Sequence, residues 1–274
     1  MNPSFAHLDS RALIRLGGPD WRDFLQGLIS NDVERLAPGE ARFAALLTPQ
    51  GRLLYDMFVI GAGDGCLLDV QAAQRGAMIQ RLSIYRLRAK VEIAEAEGRV
   101  AALWGLGAEA APAGWIADPR LAELGFRGAG LGPPAGVQVV DEDAYDGWRL
   151  SLGVPDPAKD CTPDKTYPIE ADFDLLNGVD FKKGCYVGQE TTSRMKRRGG
   201  IRSRMLPIVF DGPAPARGAE VLAGELRAGE ALTGGDGRAM ALLRLDRIEG
   251  AALSVDGRAV RVEHPAWMPK AAEV

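Results

Sequence analysis

The sequence predicts an α+β region followed by a smaller all-β unit. In the first half, apparent β-hairpins alternate with single amphipathic helices, a mixture that favours an α+β fold over a doubly wound parallel sheet. After residue 201, short strand-like runs are separated by Gly and Asp at regular spacing, which is typical of a β-barrel or a sandwich. We therefore expect an α+β region over 1–200, with an internal boundary near 105–135, and a β unit over 201–274.

Hydrophobic spacing and turn residues define the elements of the first half. Apolar residues at i, i+3, i+4, i+7 and i+8 between Trp21 and Ile29 predict a helix that ends at the turn residues 30–32. The segment Thr48-Pro49-Gln50-Gly51 is typical of the turn of a β-hairpin. The expected elements are strands over 12–16, 43–47, 53–60, 66–70, 91–94 and 100–104 and helices over 21–29, 72–88 and 144–152.

The second half is less periodic until the β unit begins. The stretch 105–134 is rich in Ala, Gly and Pro, which predicts loops near a boundary, and 153–167 has little pattern. No internal repeat and no low-complexity tract is present. The strands expected in the β unit cover 205–210, 220–222, 230–233, 239–245, 252–255 and 258–262.

The composition excludes several classes of protein. Of the 274 residues, 46% are hydrophobic and 26% are charged, values that are ordinary for a soluble globular protein. The three cysteines form no CxxC pair and the two histidines lie far apart, so we expect no disulfide framework and no metal site. No apolar run approaches the ~18 residues of a membrane helix, and no targeting segment is recognisable. We therefore expect a cytoplasmic protein without a membrane partner.

Residues 182–204 form a segment that we call the basic strip. It contains eight basic residues and one acid, Glu190, so it carries +7 within a total net charge of −4. Charge of this density can steer association with RNA or with an acidic protein, and 194–204 is the candidate surface. That segment has no interleaved aromatic residues, which single-stranded nucleic acid usually needs for stacking, so a nucleic-acid partner is not favoured.

Cys185 lies near the start of the basic strip and is the candidate functional thiol. Gly184 permits a sharp turn, and Lys182 and Lys183 favour the thiolate. A helix predicted from Gln189 places Cys185 just ahead of a helix N-terminus, where the dipole also favours an anion. The alternative is a buried structural cysteine, because free Cys is among the most buried residue types.

The other two cysteines are weaker candidates. Cys66 lies in an apolar run and is predicted to be structural. Cys161 lies in a polar loop, which is compatible with exposure, but no neighbouring residue would activate its thiol. The sequence therefore directs attention to Cys185 alone.

The segment Lys183-Gly184-Cys185-Tyr186-Val187-Gly188-Gln189-Glu190 resembles the K-G-C-Y-x-G-Q-E motif of the YgfZ-type folate-binding proteins, which are relatives of the glycine-cleavage aminomethyltransferase. The resemblance extends from about residue 6 to 268. Further segments resemble the family in the same order along the chain, namely 24–32 (FLQGLISND), 48–56 (TPQGRLLYD), 177–181 (NGVDF) and 241–244 (ALLR).

The resemblance implies an aminomethyltransferase-like fold in a ring-like arrangement, in which two α+β parts and a C-terminal β-barrel surround a central opening that accepts tetrahydrofolate. It also implies an accessory factor, rather than an enzyme, that supports assembly or repair of iron–sulfur clusters in client enzymes. Folate and iron–sulfur client or assembly proteins are then the expected partners, and Cys185 is the functional thiol. The residues expected to shape its loop are Lys183, Gly184, Tyr186, Gly188, Gln189 and Glu190.

Several candidate folate contacts follow from the same resemblance. Two of them, Asn31 and Asp32, also fit a turn that ends a helix, and Arg86 also fits a solvated helix end. Glu170 is a further acid expected near the opening. The candidate contacts are Asn31, Asp32, Asp56, Arg86 and Glu170.

One position departs from the aminomethyltransferase pattern. The segment 149–153 is similar to an R-L-E-A-G segment whose glutamate holds the pterin ring, but Ser151 stands in place of the glutamate. A hydroxyl holds the amino-pyrimidine edge more weakly than a carboxylate does. An aminomethyltransferase-type enzyme, with Asp32 or Asp56 as its acid, is the alternative to the accessory factor.

Overall fold

The computed structural model describes residues 2–107 and 110–269. Strands and helices up to residue 104 lie close to the ranges that hydrophobic spacing predicts. They are β1 (Ser4–His7), β2 (Arg11–Gly17), α1 (Trp21–Gln26), β3 (Ala41–Leu47), β4 (Leu53–Ala62), β5 (Gly65–Gln71), α2 (Arg75–Arg86), β6 (Glu92–Ala96) and β7 (Val100–Trp104).

The middle of the chain contains short elements joined by loops. As expected, 105–134 holds little regular structure, and a single turn of 3-10 helix separates its two short strands. No helix of the described residues is long and apolar enough to cross a bilayer. The elements are β8 (Ile116–Ala117), β9 (Phe126–Ala129), β10 (Gln138–Val140), α3 (Glu142–Ser151), α4 (Pro157–Asp160) and α5 (Gln189–Arg198).

The last part of the chain forms a closed six-stranded barrel with the strand order β11-β14-β13-β12-β15-β16. This resolves the choice between a barrel and a sandwich, because each strand pairs on both sides. Residues 270–274 of the β unit predicted over 201–274 lie outside the described residues. The elements are β11 (Ser203–Val209), β12 (Glu220–Ala223), β13 (Leu226–Gly235), β14 (Arg238–Arg244), α6 (Leu245–Ile248), β15 (Leu253–Val255) and β16 (Arg258–Val262).

Two five-stranded sheets precede the barrel. The first has the order β3-β4-β5-β2-β6 and is antiparallel throughout. Helices α1 and α2 cover one of its faces, where Trp21, Leu25 and Leu82 pack against strand residues such as Met57. The second sheet has the order β10-β1-β7-β9-β8, in which only the pair of β1 with β10 is parallel.

A shared hydrophobic core joins the first sheet to the barrel. The ring of Phe43 from β3 stacks on that of Phe173, with 4.5 Å between the centroids. Tyr186 from the cysteine motif and Met240 from β14 pack in the same cluster. The motif therefore lies where the first sheet, the 171–186 segment and the barrel meet.

Helix α1 is shorter than predicted. It ends at Gln26, although the apolar residues up to Ile29 are buried as expected. The helix stops because Ser30 donates its backbone N–H to the Ala45 carbonyl (2.9 Å) and accepts the Ala45 N–H at its hydroxyl (2.8 Å). These bonds hold the chain beside the outer edge of β3 instead of continuing the helix.

Candidate functional site

Cys185 is the exposed thiol of this protein, whereas Cys66 and Cys161 are buried. Burial raises the pKa of the Cys66 thiol to about 12, and burial, followed by the Asp160 carboxylate, raises that of Cys161. The suggestion that the polar loop exposes Cys161 is therefore wrong, because that loop packs into the core that the first sheet shares with the barrel. Only Cys185 presents its sulfur to a partner or to solvent.

Two glycines fix the position of the Cys185 loop. Gly188 precedes the first residue of α5 with a left-handed φ of 82°, and a Cβ there would lie 2.5 Å from the Thr48 carbonyl oxygen. Gly51, in the hairpin turn, has φ 81°, and a Cβ there would lie 2.8 Å from Cβ of Thr191. The hairpin turn and the start of α5 thus meet through glycines, which sets the loop firmly against β3 and β4.

Gly184 has a different role from the one that its position beside Cys185 suggests. Its φ is not in the left-handed region, and a Cβ there would meet no atom within 4 Å. The backbone freedom that sequence reasoning placed at Gly184 is needed at Gly188 instead. Gly184 leaves open space beside the exposed thiol.

Lys183 anchors the loop to the end of α1. Its ammonium donates to the carbonyl oxygens of Gln26 (2.9 Å), Ile29 (2.7 Å) and Asn31 (2.9 Å). Three bonds use all three of its protons. Burial lowers the pKa of Lys183 to about 8. Lys183 therefore positions the loop against the end of α1.

The remaining motif residues shape the loop and the helix that follows. Tyr186 is buried with its ring 5.1 Å from the Lys183 ammonium, and burial raises the pKa of its hydroxyl to about 12. Gln189 begins α5, and Glu190 lies exposed in the first turn, where a carboxylate interacts favourably with the helix dipole. Cys185 therefore lies just ahead of a helix N-terminus, as the spacing predicts.

Asn31 joins β3 to the segment that leads to Cys185. Its side-chain amide donates to the carbonyl oxygens of Phe43 (2.7 Å) and Asn177 (2.6 Å). Asn177 in turn donates its side-chain amide to the Pro119 carbonyl oxygen (3.0 Å) and has a left-handed φ of 56°. The two asparagines therefore join four segments, namely the turn after α1, β3, the chain at 177 and the loop at Pro119. Because most of these partners are distant in sequence, no local pattern predicts this role.

An open groove of about 790 Å³ lies beside the same segment. One wall is the start of β3, the outer strand of its sheet, and the other is β8, the outer strand of the second sheet. Phe181, which is 37% exposed, and Lys182 belong to the third side. The groove and the exposed thiol therefore share one short stretch of chain, residues 181–185.

The structure does not bring the five candidate folate contacts together. Only Asp56 lines the central cavity enclosed by the two sheets and by α3 and α4. Asp32 accepts from the Gln26 side chain (2.6 Å) and serves as a turn residue, while Arg86 lies exposed at the end of α2. Glu170 accepts the backbone N–H of Tyr167 (2.8 Å), and burial raises the pKa of its carboxyl.

The central cavity is far smaller than the opening that the family resemblance implies. Its volume is about 30 Å³, whereas small-molecule sites ordinarily measure about 300–1,000 Å³. Ser151, the residue at the expected pterin position, is exposed, donates to the Trp148 carbonyl oxygen (2.7 Å) and lines a different cavity. The cavity as these residues line it is thus below the ordinary size of a small-molecule site.

The basic strip is not a continuous cationic surface. Lys183 is committed to carbonyl groups, and Lys196 pairs with Asp174 at 3.0 Å. Arg204 is buried and pairs with Asp172 (2.7 Å) as well as with Asp174. The strip residues that remain exposed among those whose side chains are described are Lys182, Arg194, Arg197 and Arg202.

Metal binding by the described residues would need a cluster of side chains that could hold the ion. Within residues 2–107 and 110–269, no group of three or more His, Cys, Asp or Glu side chains is placed to hold a metal ion. The site therefore consists of one exposed thiol in a rigid loop, a neighbouring groove and a helix N-terminus.

Comparison with solved structures shows the fold. The chain is similar to the glycine cleavage system aminomethyltransferase T of Bartonella henselae, with a TM-score of 0.78 and 20% identity over 97% of this chain and 86% of that one. The model of the CAF17 C-terminal beta-barrel domain matches residues 202–270. The protein thus has an aminomethyltransferase-like fold with a closed C-terminal barrel, as predicted.

Sequence comparison shows the family. The iron-sulfur cluster assembly factor IBA57 of Mus musculus is 32% identical over 97% of this chain and 86% of its own length. The Homo sapiens protein of the same name is 35% identical over 89% of this chain and 78% of its own length. The chain belongs to the IBA57-like family of iron–sulfur cluster assembly factors. The YgfZ/CAF17 family that the motif resembles fits these matches, and the two relatives described here carry the name IBA57.

The relatives also bear on two other expectations. Their names describe assembly factors, which agrees with an accessory role rather than that of a transferase. The expected cytoplasmic location is contradicted, because the relatives are named as mitochondrial proteins. That expectation rested only on the lack of a recognisable targeting segment, and no residue pattern pointed to the cytoplasm itself.

Proposed function

We propose that this protein supports the assembly of iron–sulfur clusters through Cys185, whose thiolate ligates cluster iron while the cluster passes between a partner protein and a client enzyme. The observation that carries the proposal is the exposure of Cys185 in a loop fixed by Gly188 and Lys183, while Cys66 and Cys161 are buried. A loop built this firmly around an exposed thiol supports a functional sulfur rather than a structural one.

The number of ligands supports a shared cluster. Iron–sulfur clusters are ordinarily held by about four cysteine thiolates, and this chain offers one accessible thiol. A partner protein therefore supplies the remaining ligands. The groove of about 790 Å³, lined in part by Phe181 and Lys182, provides a surface for that partner a few residues along the chain from Cys185.

Cys185 loses one proton to solvent and forms one Fe–S bond to cluster iron, while one ligand of the partner protein leaves the same iron, so no oxidation state changes. Thiolate is the metal-binding form of cysteine. Lys183 keeps the loop in place by binding three carbonyl groups at the end of α1. Bond formation and release at a single thiolate suit a carrier rather than a permanent cluster site.

The two alternatives receive less support. In an aminomethyltransferase-type enzyme Asp56 would act as the acid, but its side chain is 1% exposed and its two oxygens already accept from Arg11 (2.8 Å) and Gln71 (3.0 Å). No folate step is included, because the central cavity of about 30 Å³ is below the ordinary size of a small-molecule site. The hypothesis that the basic strip binds RNA or an acidic protein loses support, because Lys196 and Arg204 form ion pairs within the chain.

The experiment is rescue of cells that lack the gene, with the activity of an endogenous [4Fe–4S] enzyme as the readout. Wild-type protein and Cys161→Ala should restore the activity, because Cys161 is a buried packing residue. Cys185→Ala should not restore it, although the variant should accumulate to the same level, since this exposed side chain contributes little to packing. Full rescue by Cys185→Ala would refute the proposal.

A further inference from the structure

The centre of the molecule contains a buried network of arginines and aspartates that the role of Cys185 does not use. It lies where the aminomethyltransferase-like fold leads one to expect folate. Acidic residues in apolar strands, such as Asp56 and Asp69, need buried partners, because an unpaired charge away from water is strongly unfavourable. Arg11 and Arg127 supply those partners, and Arg120 pairs with Asp118 beside them.

Arg11 is the centre of this network. Its guanidinium donates to Asp56 Oδ2 (2.8 Å), to Asp69 Oδ1 (2.7 Å) and to the Asp69 carbonyl oxygen (2.8 Å). The side chain of Arg11 is 7% exposed and those of the two aspartates are 1% and 0% exposed. The arginine therefore fills space between β2, β4 and β5 and uses the hydrogen-bonding capacity that a polar ligand would need.

The second sheet closes the network from the other side. Arg127 donates to Asp69 Oδ2 at 2.7 Å, and its guanidinium lies 3.7 Å from the centre of the Phe58 ring. Arg120 donates to Asp118 (2.8 Å) and to the hydroxyl of Tyr145 (3.1 Å). An aromatic face that could stack on a pterin is thus already covered by an arginine.

Side chains at the rim of the cavity are also held by hydrogen bonds within the chain. Ser10 donates both its backbone N–H and its hydroxyl to the Glu142 carboxylate, so the start of β2 is tied to the first turn of α3. Within α3, Arg149 donates to Asp146 (2.8 Å) and to Asp160 (3.4 Å). The remaining volume of about 30 Å³ is room for about one water molecule.

We propose that the central chamber of this chain is a closed, charge-balanced core in which Arg11 occupies the place of a ligand, and that the protein does not bind tetrahydrofolate there. A folate would have to displace Arg11 from two buried carboxylates. Removing one partner of a buried ion pair carries a penalty that reduces ligand affinity by roughly a hundredfold or more. The Arg–Asp network instead joins the two sheets to α3 and α4.

The test is isothermal titration of the purified full chain with 5-formyltetrahydrofolate, a chemically stable reduced folate. We expect no saturable binding to the wild-type chain up to about 1 mM. In Arg11→Ala, which frees an oxygen of Asp56 and the space of the guanidinium, we expect affinity at least about tenfold higher than in wild type. Saturable one-to-one binding to the wild-type chain, lost in Asp56→Asn, would overturn the proposal.

Arg11→Ala leaves two buried carboxylates with fewer partners, so its folding is at risk. The thermal denaturation midpoint of the wild-type chain is therefore measured with and without the same folate. An unchanged midpoint supports a closed chamber, whereas a rise of several degrees would overturn it, because a ligand that binds the native state stabilises it. Neither outcome bears on Cys185, whose rescue test is separate.

Discussion

Replacing Gly188 with alanine should disrupt the cysteine loop more than any other single methyl group added to the motif. A left-handed backbone costs a residue with a Cβ about 1–2 kcal/mol. The new Cβ would also lie 2.5 Å from the Thr48 carbonyl oxygen and 2.9 Å from the Leu47 Cβ, and overpacking of this kind costs about 1–3 kcal/mol. We expect Gly188→Ala to lower the free energy of unfolding by about 2–5 kcal/mol in urea denaturation.

Gly184→Ala is the matched control for this substitution. The residue lies four positions earlier in the same motif, has no left-handed φ and has open space where the methyl group would lie, so the change should be within about 0.5 kcal/mol. If the loop position matters for function, Gly188→Ala should also impair rescue of iron–sulfur enzyme activity while Cys185 is intact. Equal destabilisation by the two substitutions would refute the assignment of the strained position to Gly188.

Three further predictions concern the contacts around the site. Arg204→Met should lower the free energy of unfolding by about 3–5 kcal/mol, because Asp172 then loses its buried partner. The exposed pair of Arg244 provides the control, and Arg244→Met should leave the urea midpoint nearly unchanged. Asn31→Ala should speed amide hydrogen exchange over 177–187 and cost about 2 kcal/mol, and unchanged exchange there would contradict its bridging role. Burial raises the pKa of Asp69, but the opposite effect of Arg11 and Arg127 is larger. The pKa of Asp69 is therefore lower in the folded chain than in the unfolded chain. Because the unfolded chain then binds more protons, stability should fall as the pH drops below about 4, and a stability constant from pH 5 to 3 would contradict this.

Local patterns predicted the elements of the fold well. The apolar runs at 43–47 and 53–60 and the turn Thr48-Pro49-Gln50-Gly51 between them identified the hairpin of β3 and β4, and regular Gly and Asp spacing identified the barrel strands. The length of α1 was not predictable in this way. The end of α1 depends on hydrogen bonds between Ser30 and Ala45 of β3. The Ser30 hydroxyl also donates to the Gly178 carbonyl oxygen, 148 residues away.

In the candidate site, too, local motifs were predictable and contacts between distant parts of the chain were not. The motif from Lys183 to Glu190 pointed to Cys185, but its exposure depends on contacts with the hairpin and with α1 that no local pattern encodes. Arg11 was missed because its partners lie 45 and 58 residues away. Asp56 and Asp69 within apolar strands were the available signal, since buried acids require nearby cations.

The claim that Cys185 is the working thiol is tested most directly by blocking that sulfur in the purified protein. Because Cys66 and Cys161 are buried, brief treatment with iodoacetamide should modify Cys185 alone, which mass spectrometry can verify. The treated protein is then added, with iron, sulfide and reductant, to an anaerobic extract of cells lacking the gene, and the recovery of a [4Fe–4S] enzyme is followed. Untreated protein should restore the activity and alkylated protein should not. Full recovery with protein shown to be alkylated at Cys185 would contradict the account.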